Sequence, residues 1–277
     1  LQRNMKILKF KKDLRFLNYK NLHKIKLDNK KLNIINIDLI KDSSKGQENT
    51  KKYINECFKV AFKLIKKKFS RKLINGPINK KNFLNKKFLG VTEYVSESFK
   101  KKKFGMLIFN KNLSVCPLTT HLPLSLVAKN INKKKINEKV FLIDQFFRKN
   151  FGFRPKIGIT GLNPHCESIL KFNEDVKIIA SAIKLLKKRK YRVSGPFAAD
   201  TIFLKKNRDK YDVILGMYHD QVLAPIKTLF EYDAINITMG LPFLRVTPDH
   251  GPNQKMVGKN LSNPRSLINA LNFLDQR

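Results

Sequence analysis

Five histidines occur among the 277 residues, and three of them directly follow a short apolar run. His121 ends Leu118-Thr119-Thr120-His121, His165 ends Gly161-Leu162-Asn163-Pro164-His165, and His219 sits in Met217-Tyr218-His219-Asp220. Each preceding run reads as a strand, and in open α/β sheets the ligand crevice lies outside the carboxyl ends of the strands. Three imidazoles delivered there would hold a divalent metal and leave positions open for substrate. Read singly, each histidine fits a polar loop residue capping the next helix better; the three together favour the metal. Asp220 would either orient an imidazole ligand from behind or serve as a helix-start carboxylate favoured by the dipole.

A second group gathers cations and an amide. Lys227, Asn236 and Arg245 fall on successive expected elements. A phosphate or carboxylate needs such donors, Arg as a planar fork and Lys as a point charge. With 58 basic residues in the chain, a chance surface cation stays open as the alternative for each. Gly195-Pro196 with Asp200-Thr201, and Asp249-His250-Gly251-Pro252, read as tight functional loops or as ordinary turns. Neither G-x-G-x-x-G nor G-x-x-x-x-G-K-[ST] occurs, so no standard dinucleotide loop and no P-loop is present. Cys166, beside His165, lacks an identifiable base and reads as a bystander.

The elements that must carry these residues alternate. An amphipathic helix is expected over Lys52–Phe69, then a short strand at Leu73-Ile74 running into Asn75-Gly76-Pro77. Phe104–Phe109 and Leu113–Leu118 read as a hairpin or adjacent strands. Helices follow at Leu122–Ile131 and Val140–Phe147, a strand at Lys156–Thr160, and a helix at Glu174–Lys188 behind an Asn173 cap. Strands are expected at Tyr191–Ser194, Asp212–Gly216 and Ala234–Thr238. A helix spans Asp220–Phe230, and a last one runs from Pro264 to Leu274 with Asn263 as cap. Residues 1–50 are basic and weakly patterned apart from an alternation at Leu32–Leu39. This order is that of an α/β architecture with a parallel or mixed sheet.

Composition bounds the rest. A hydrophobic content of 42% with 21 Phe supports one large globular unit or two lobes sharing a cleft and excludes disorder as the main state. No stretch of some 18 apolar residues is free of charge, so no membrane span is expected. Three cysteines without CxxC spacing, and a start lacking signal architecture, point to the cytoplasm. Lys plus Arg number 58 against 21 Asp plus Glu, a net charge of +37. A polyanion partner would explain this. So would codon bias toward A and T, which the abundance of Lys, Asn, Ile and Phe and the absence of Trp support. The lysines are dispersed, which favours composition over a nucleic-acid face.

The motifs together resemble the 4-hydroxythreonine-4-phosphate dehydrogenase family of vitamin B6 (pyridoxal phosphate) biosynthesis, from about Leu73 to the C-terminus. The resemblance rests on Asn75-Gly76-Pro77-Ile78-Asn79-Lys80, Thr119-Thr120-His121-Leu122-Pro123-Leu124 and Gly161-Leu162-Asn163-Pro164-His165. It extends through Gly195-Pro196-Phe197-Ala198-Ala199-Asp200-Thr201, Met217-Tyr218-His219-Asp220-Gln221, Asn236-Ile237-Thr238, Gly240-Leu241-Pro242-Phe243 and Asp249-His250-Gly251. It implies an α/β/α fold related to isocitrate and isopropylmalate dehydrogenases, two-lobed, with its cleft at the carboxyl ends of the strands. One dehydrogenase unit would then cover residues 1–277, as a homodimer with a shared active site. A divalent cation (zinc, magnesium, manganese or cobalt) is implied on His121, His165 and His219, and substrate contacts on Thr92, Lys227, Asn236 and Arg245. The implied cofactor is NAD, held without the glycine fingerprint. The implied reaction oxidises 4-phosphohydroxy-L-threonine to a 3-oxo acid, which decarboxylates to 3-amino-2-oxopropyl phosphate. A paralogous dehydrogenase of another four-carbon hydroxy-acid phosphate is the first alternative, and a basic nucleic-acid-binding protein is the remote one.

Three departures from the family pattern stand out. The family's His-Thr-Glu triplet reads Val91-Thr92-Glu93. Its glycine-rich opening is absent and the chain starts at Leu1, so a chain lacking its first strand and loop is expected. Its Gly/His-rich stretch after Asn-Pro-His reads Cys166-Glu167-Ser168-Ile169-Leu170-Lys171-Phe172.

Overall fold

The computed structural model describes residues 1–28, 30–38, 46–79, 83–84, 88, 90–167, 173–252, 254–256 and 259–277. The chain divides into two compact units, Leu1–Ser70 and Arg71–Arg277. In the first, α1 (Gln2–Ile7) precedes β1 (Leu14–Phe16), which pairs in parallel with β2 (Leu32–Ile34). The expected alternation over Leu32–Leu39 thus yields a strand of three residues, and Leu39 itself lies outside the described residues. The long helix α2 (Gly46–Lys66) starts before the expected Lys52. It buries Phe58 and Phe62, one turn apart, with ring centroids 5.4 Å from each other.

The second unit holds an eight-stranded mixed sheet. Its strands are β3 (Lys72–Ile74), β4 (Gly105–Phe109), β5 (Ser114–Pro117), β6 (Ile157–Thr160), β7 (Val193–Phe197), β8 (Val213–Gly216), β9 (Ile235–Met239) and β10 (Leu244–Pro248). Their spatial order is β3-β10-β9-β4-β5-β8-β6-β7. The β5-β8-β6-β7 half is parallel throughout, whereas β10, β9, β4 and β5 pair antiparallel in turn. The expected hairpin is β4–β5, with Ile108 opposite Val115. Strand β10 was not among the strands expected from the sequence, where an arginine second in a five-residue run breaks the apolar pattern.

Alternation along the strands divides two cores. Leu107, Cys116, Val213 and Leu215 face one side; Ile108, Val115 and Ile214 face the other. The first side is covered by α5 (Lys133–Phe151), α6 (Ser181–Lys188) and α10 (Arg265–Asp275), the second by α7 (Ala199–Ile202) and α9 (His219–Phe230). Two further short helices are α4 (Leu124–Asn130) and α8 (Lys205–Arg208), and α3 (Val91–Ser98) precedes β4. Helix α5 begins where the Asn132 side chain accepts the Lys135 N–H at 2.9 Å and ends at Gly152, whose φ of 79° suits glycine. Its buried stripe of Ile136, Val140, Ile143 and Phe147 follows helical spacing. Burying each such side chain contributes about 1.5–3 kcal/mol. The helix expected from Glu174 opens as a wide π-type turn over Asp175–Ala180 and becomes α-helical in α6; Asn173 caps it, accepting the Asp175 N–H at 2.8 Å. Among the described residues, no helix is long and apolar enough to cross a membrane.

Candidate functional site

A cavity of about 310 Å³ opens beside the carboxyl ends of β3, β5, β8 and β10. Its lining includes Asn75, Val91, Thr92, His121, His219, Asn236, Arg245, Asp249 and His250. Hollows of about 600 and 550 Å³ elsewhere on the second unit are larger, but neither is lined by a histidine. Size therefore does not identify the site; the convergence of polar groups does.

On one wall the groups belong to strands. Ile235, Ile237, Met239 and Val246 point into the core, so the pleat turns Asn236, Thr238, Arg245 and Thr247 to the opposite face. Register sets Arg245 directly across from Thr238. Arg245 is only 3% exposed, and a buried guanidinium requires partners. Its Nε donates to Asn75 Oδ1 at 2.9 Å, and its Nη1 donates to Thr238 Oγ1 at 2.7 Å and to Thr92 Oγ1 at 3.2 Å. Burial lowers its pKa to about 10, against an opposing pull from Glu93, so it stays charged at neutral pH. None of these bonds uses Nη2, which leaves a fork edge for an anion. Asn236 Oδ1 is buried without a hydrogen-bond partner among the described residues, an acceptor suited to a ligand donor.

Lys227, on α9, is not part of the lining. Its Nζ lies 2.6 Å from Asp249 Oδ2 and also donates to the Asp249 carbonyl, so the cation reaches the cavity wall through Asp249. Burial pushes the Asp249 carboxyl up from its ordinary value, while Lys227, His219 and His250 pull it down.

On the other wall the groups ride on loops. His121 follows β5 and His219 opens α9 just after β8, the parallel neighbour of β5. Their ring centroids are 6.2 Å apart. Imidazole nitrogens sit about 2.0–2.1 Å from zinc, so two rings on one cation have centroids at most about 6.5 Å apart. At 6.2 Å the pair is wider than the about 5 Å that a tetrahedral angle at the ion gives, so the rings would have to draw in by about 1 Å to share one. His219 Nδ1 lies 2.6 Å from Asp220 Oδ1, an arrangement that leaves Nε2 as the ligating atom. His165 follows β6, on the far side of β8, but is exposed and does not line the cavity. It and Cys166 both adopt positive φ, 55° and 61°. Among the described residues, no three His, Cys, Asp or Glu side chains are grouped closely enough to enclose an ion. The structure thus brings together two of the three expected ligands.

The Cys166 thiol is pushed up, first by burial and then by the Asp175 carboxylate, which keeps it protonated. Asp175 itself accepts the Leu162 N–H at 2.6 Å and the Asn163 N–H at 3.1 Å, holding the loop that leads to His165. Thr238, Asn75 and Asp175 were not expected as site residues. The signal for Thr238 was present, as a polar position alternating with Ile235, Ile237 and Met239. The Asp200-Thr201 pair falls on α7 and lines none of the cavities described above.

Residues 1–274 match the sequence model of the family described as pyridoxal phosphate biosynthetic protein PdxA. A 4-hydroxythreonine-4-phosphate dehydrogenase of Sulfurihydrogenibium is 41% identical over 216 residues, 76% of this chain and 66% of that protein. The chain therefore spans just under two thirds of that relative's length. One from Aquifex aeolicus is 32% identical over 274 residues, covering 94% of this chain and 82% of that protein. Among solved structures, a 4-hydroxythreonine-4-phosphate dehydrogenase from Klebsiella pneumoniae superposes with a TM-score of 0.80 at 26% identity, covering 99% of this chain and 87% of that one.

Proposed function

The chain belongs to the pyridoxal phosphate biosynthetic protein PdxA family, and on that premise we propose that it is an NAD-dependent dehydrogenase of 4-phosphohydroxy-L-threonine. The substrate is oxidised at its C3 hydroxyl to a 3-oxo acid, which loses CO2 to give 3-amino-2-oxopropyl phosphate. One observation carries the reading: a single cavity has a buried, still-charged Arg245 on one wall and His121 with His219 on the other. A molecule with an anionic end and a hydroxyl would use both chemistries at once.

The roles follow from each group's surroundings. Arg245, fixed by Asn75, Thr92 and Thr238, binds the phosphate or carboxylate and sets the substrate's pose. Asn236 accepts a hydrogen bond from the substrate's amino or hydroxyl group. Lys227 and Asp249 act as a pair, the lysine offsetting the carboxylate that would otherwise repel the anion. His121 and His219 would hold a divalent cation, with Asp220 fixing the His219 ring, and His165, which lies outside the cavity as placed, would have to move in to complete the set that the family pattern implies. When bound, the cation polarises the substrate hydroxyl and the nicotinamide supplies the electron acceptor. The homodimer implied by the family pattern belongs to the same proposal.

The test is NADH formation by the purified protein on 4-phosphohydroxythreonine, compared with four-carbon hydroxy-acid phosphates that lack the amino group. Preference for the amino substrate supports the reading. Preference for a four-carbon acid phosphate would assign the chain to a paralogous reaction.

A further inference from the structure

The histidine-bearing loops follow three adjacent parallel strands, in the order β5, β8, β6. Past the strand ends, backbone bonds still tie the β5 loop to the β8 loop, Thr119 N–H donating to the Met217 carbonyl at 3.3 Å, whereas the β8 and β6 loops are linked by a side chain. One side chain bridges two of them. Gln221, in the first turn of α9 two residues after His219, is 8% exposed. Its Oε1 accepts the Met217 N–H at 2.7 Å and the Thr160 hydroxyl at 2.8 Å, and its Nε2 donates to the Gly161 carbonyl at 2.8 Å. The partners dictate the amide's orientation, since an N–H needs an acceptor and a carbonyl needs a donor. Met217 is also held from the β5 side, where Thr119 Oγ1 donates to its carbonyl at 2.8 Å. Gly161 and Gly216 make the approach possible: a Cβ on Gly216 would lie 2.3 Å from Val222 Cγ1, and one on Gly161 2.5 Å from Asp175 Oδ1.

We infer that Gln221 is a positioning residue, a buried amide that sets the His219 loop against the loop leading to His165. The inference rests on the proposed role of these histidines as cation ligands. Among the described residues, Gln221 hydrogen-bonds to neither ring; it acts through the backbone at Met217 and Gly161. A hydrocarbon of similar size would leave one backbone N–H, one carbonyl and one hydroxyl unpaired, and the loops would relax to satisfy them.

The experiment is cobalt(II) titration of the purified protein without substrate, read by affinity and by the visible absorption band at saturation. Gln221→Leu should weaken cobalt about 10- to 100-fold, the usual consequence of losing a group that orients ligands, and should shift the band. Thr160→Val removes one of the two donors to Oε1 and should give a smaller change in the same direction; it carries the test alone if Gln221→Leu fails to fold. Asn132→Ala, which uncaps α5, controls for general destabilisation and should leave the band unchanged. Wild-type affinity and band in folded Gln221→Leu or Thr160→Val, with cobalt lost in His219→Ala, would overturn the inference and leave the cation reading standing. Undiminished cobalt binding in His219→Ala would overturn both.

Discussion

Arg245 and His219 face the same cavity from opposite walls, and they are held in opposite ways. Arg245 belongs to a strand, is 3% exposed, and has three hydrogen-bond partners drawn from β9, α3 and the segment after β3. His219 starts a helix beyond a strand end, with 36% of its side chain exposed, and its Nδ1 contacts Asp220, whose side chain is itself 82% exposed. The Arg245 wall is therefore pre-organised by the sheet, and its residues hold the fold together as well as line the cavity. The histidine wall is assembled from loops, and its residues can serve function with little effect on stability. A charge buried in a cage cannot adapt cheaply; ligands that must close on an ion can.

Substitutions on the two walls should separate these roles. His219→Ala removes a ligand from a group that supplies several kcal/mol of charge stabilisation, so catalytic efficiency should fall about 1,000-fold. Unfolding free energy should change by no more than about 0.5 kcal/mol, as for an exposed side chain. A large loss of stability in this variant would erase the contrast between the walls. Arg245→Met should do both kinds of damage. It leaves the Asn75 amide and two threonine hydroxyls without their donor, costing about 2–4 kcal/mol in denaturant unfolding, and catalytic efficiency should drop about 100-fold. Wild-type stability in Arg245→Met would show that the cage is not built around the guanidinium.

Smaller effects sharpen the picture at the cavity rim. Val91 lines the cavity beside Thr92, where the family carries histidine. Restoring an imidazole donor to an anionic substrate is worth about 1.5–3 kcal/mol, so Val91→His should raise catalytic efficiency on 4-phosphohydroxythreonine about ten-fold or more. Unchanged or lower efficiency in steady-state kinetics would mean that other donors already fill the role. The last effect concerns Asp249. Its carboxyl is raised above the ordinary 3.8 in the folded state, so the fold binds its proton more tightly than the unfolded chain does. Stability from this group is present below that ordinary value and lost as pH rises through the folded value. The stability of wild type relative to Asp249→Asn should thus decline as pH rises through that window. A difference that stays flat or grows would contradict the assigned burial.

Much of the histidine wall was legible in the sequence, because a strand end followed by a polar loop leaves a local pattern. His121, His165 and His219 were identified by that rule, and their strands prove to be neighbours. What the pattern could not convey is that β8 lies between β5 and β6, or that the His165-Cys166 turn takes positive φ and leaves His165 exposed. The other wall was less legible. Arg245 was singled out as a candidate anion donor, but its strand was missed, since buried arginine in a β-strand contradicts the usual preference for apolar positions. Lys227 was singled out by type, whereas its tie to Asp249 depends on packing between α9 and the segment after β10. Gln221 bonds to Thr160 and Gly161 some sixty residues away in sequence, a contact that exists only once the sheet order is set.

Depletion and repletion decide whether this cavity oxidises a phosphorylated hydroxy amino acid with help from a cation on the histidine wall. The purified protein is stripped with chelator and assayed for NADH formation on 4-phosphohydroxythreonine while zinc, magnesium, manganese or cobalt is added back, alongside His219→Ala. The account predicts loss of turnover on stripping, recovery with at least one cation in the wild type, and no recovery in the variant. Full turnover after thorough stripping, or equal recovery in His219→Ala, would contradict it.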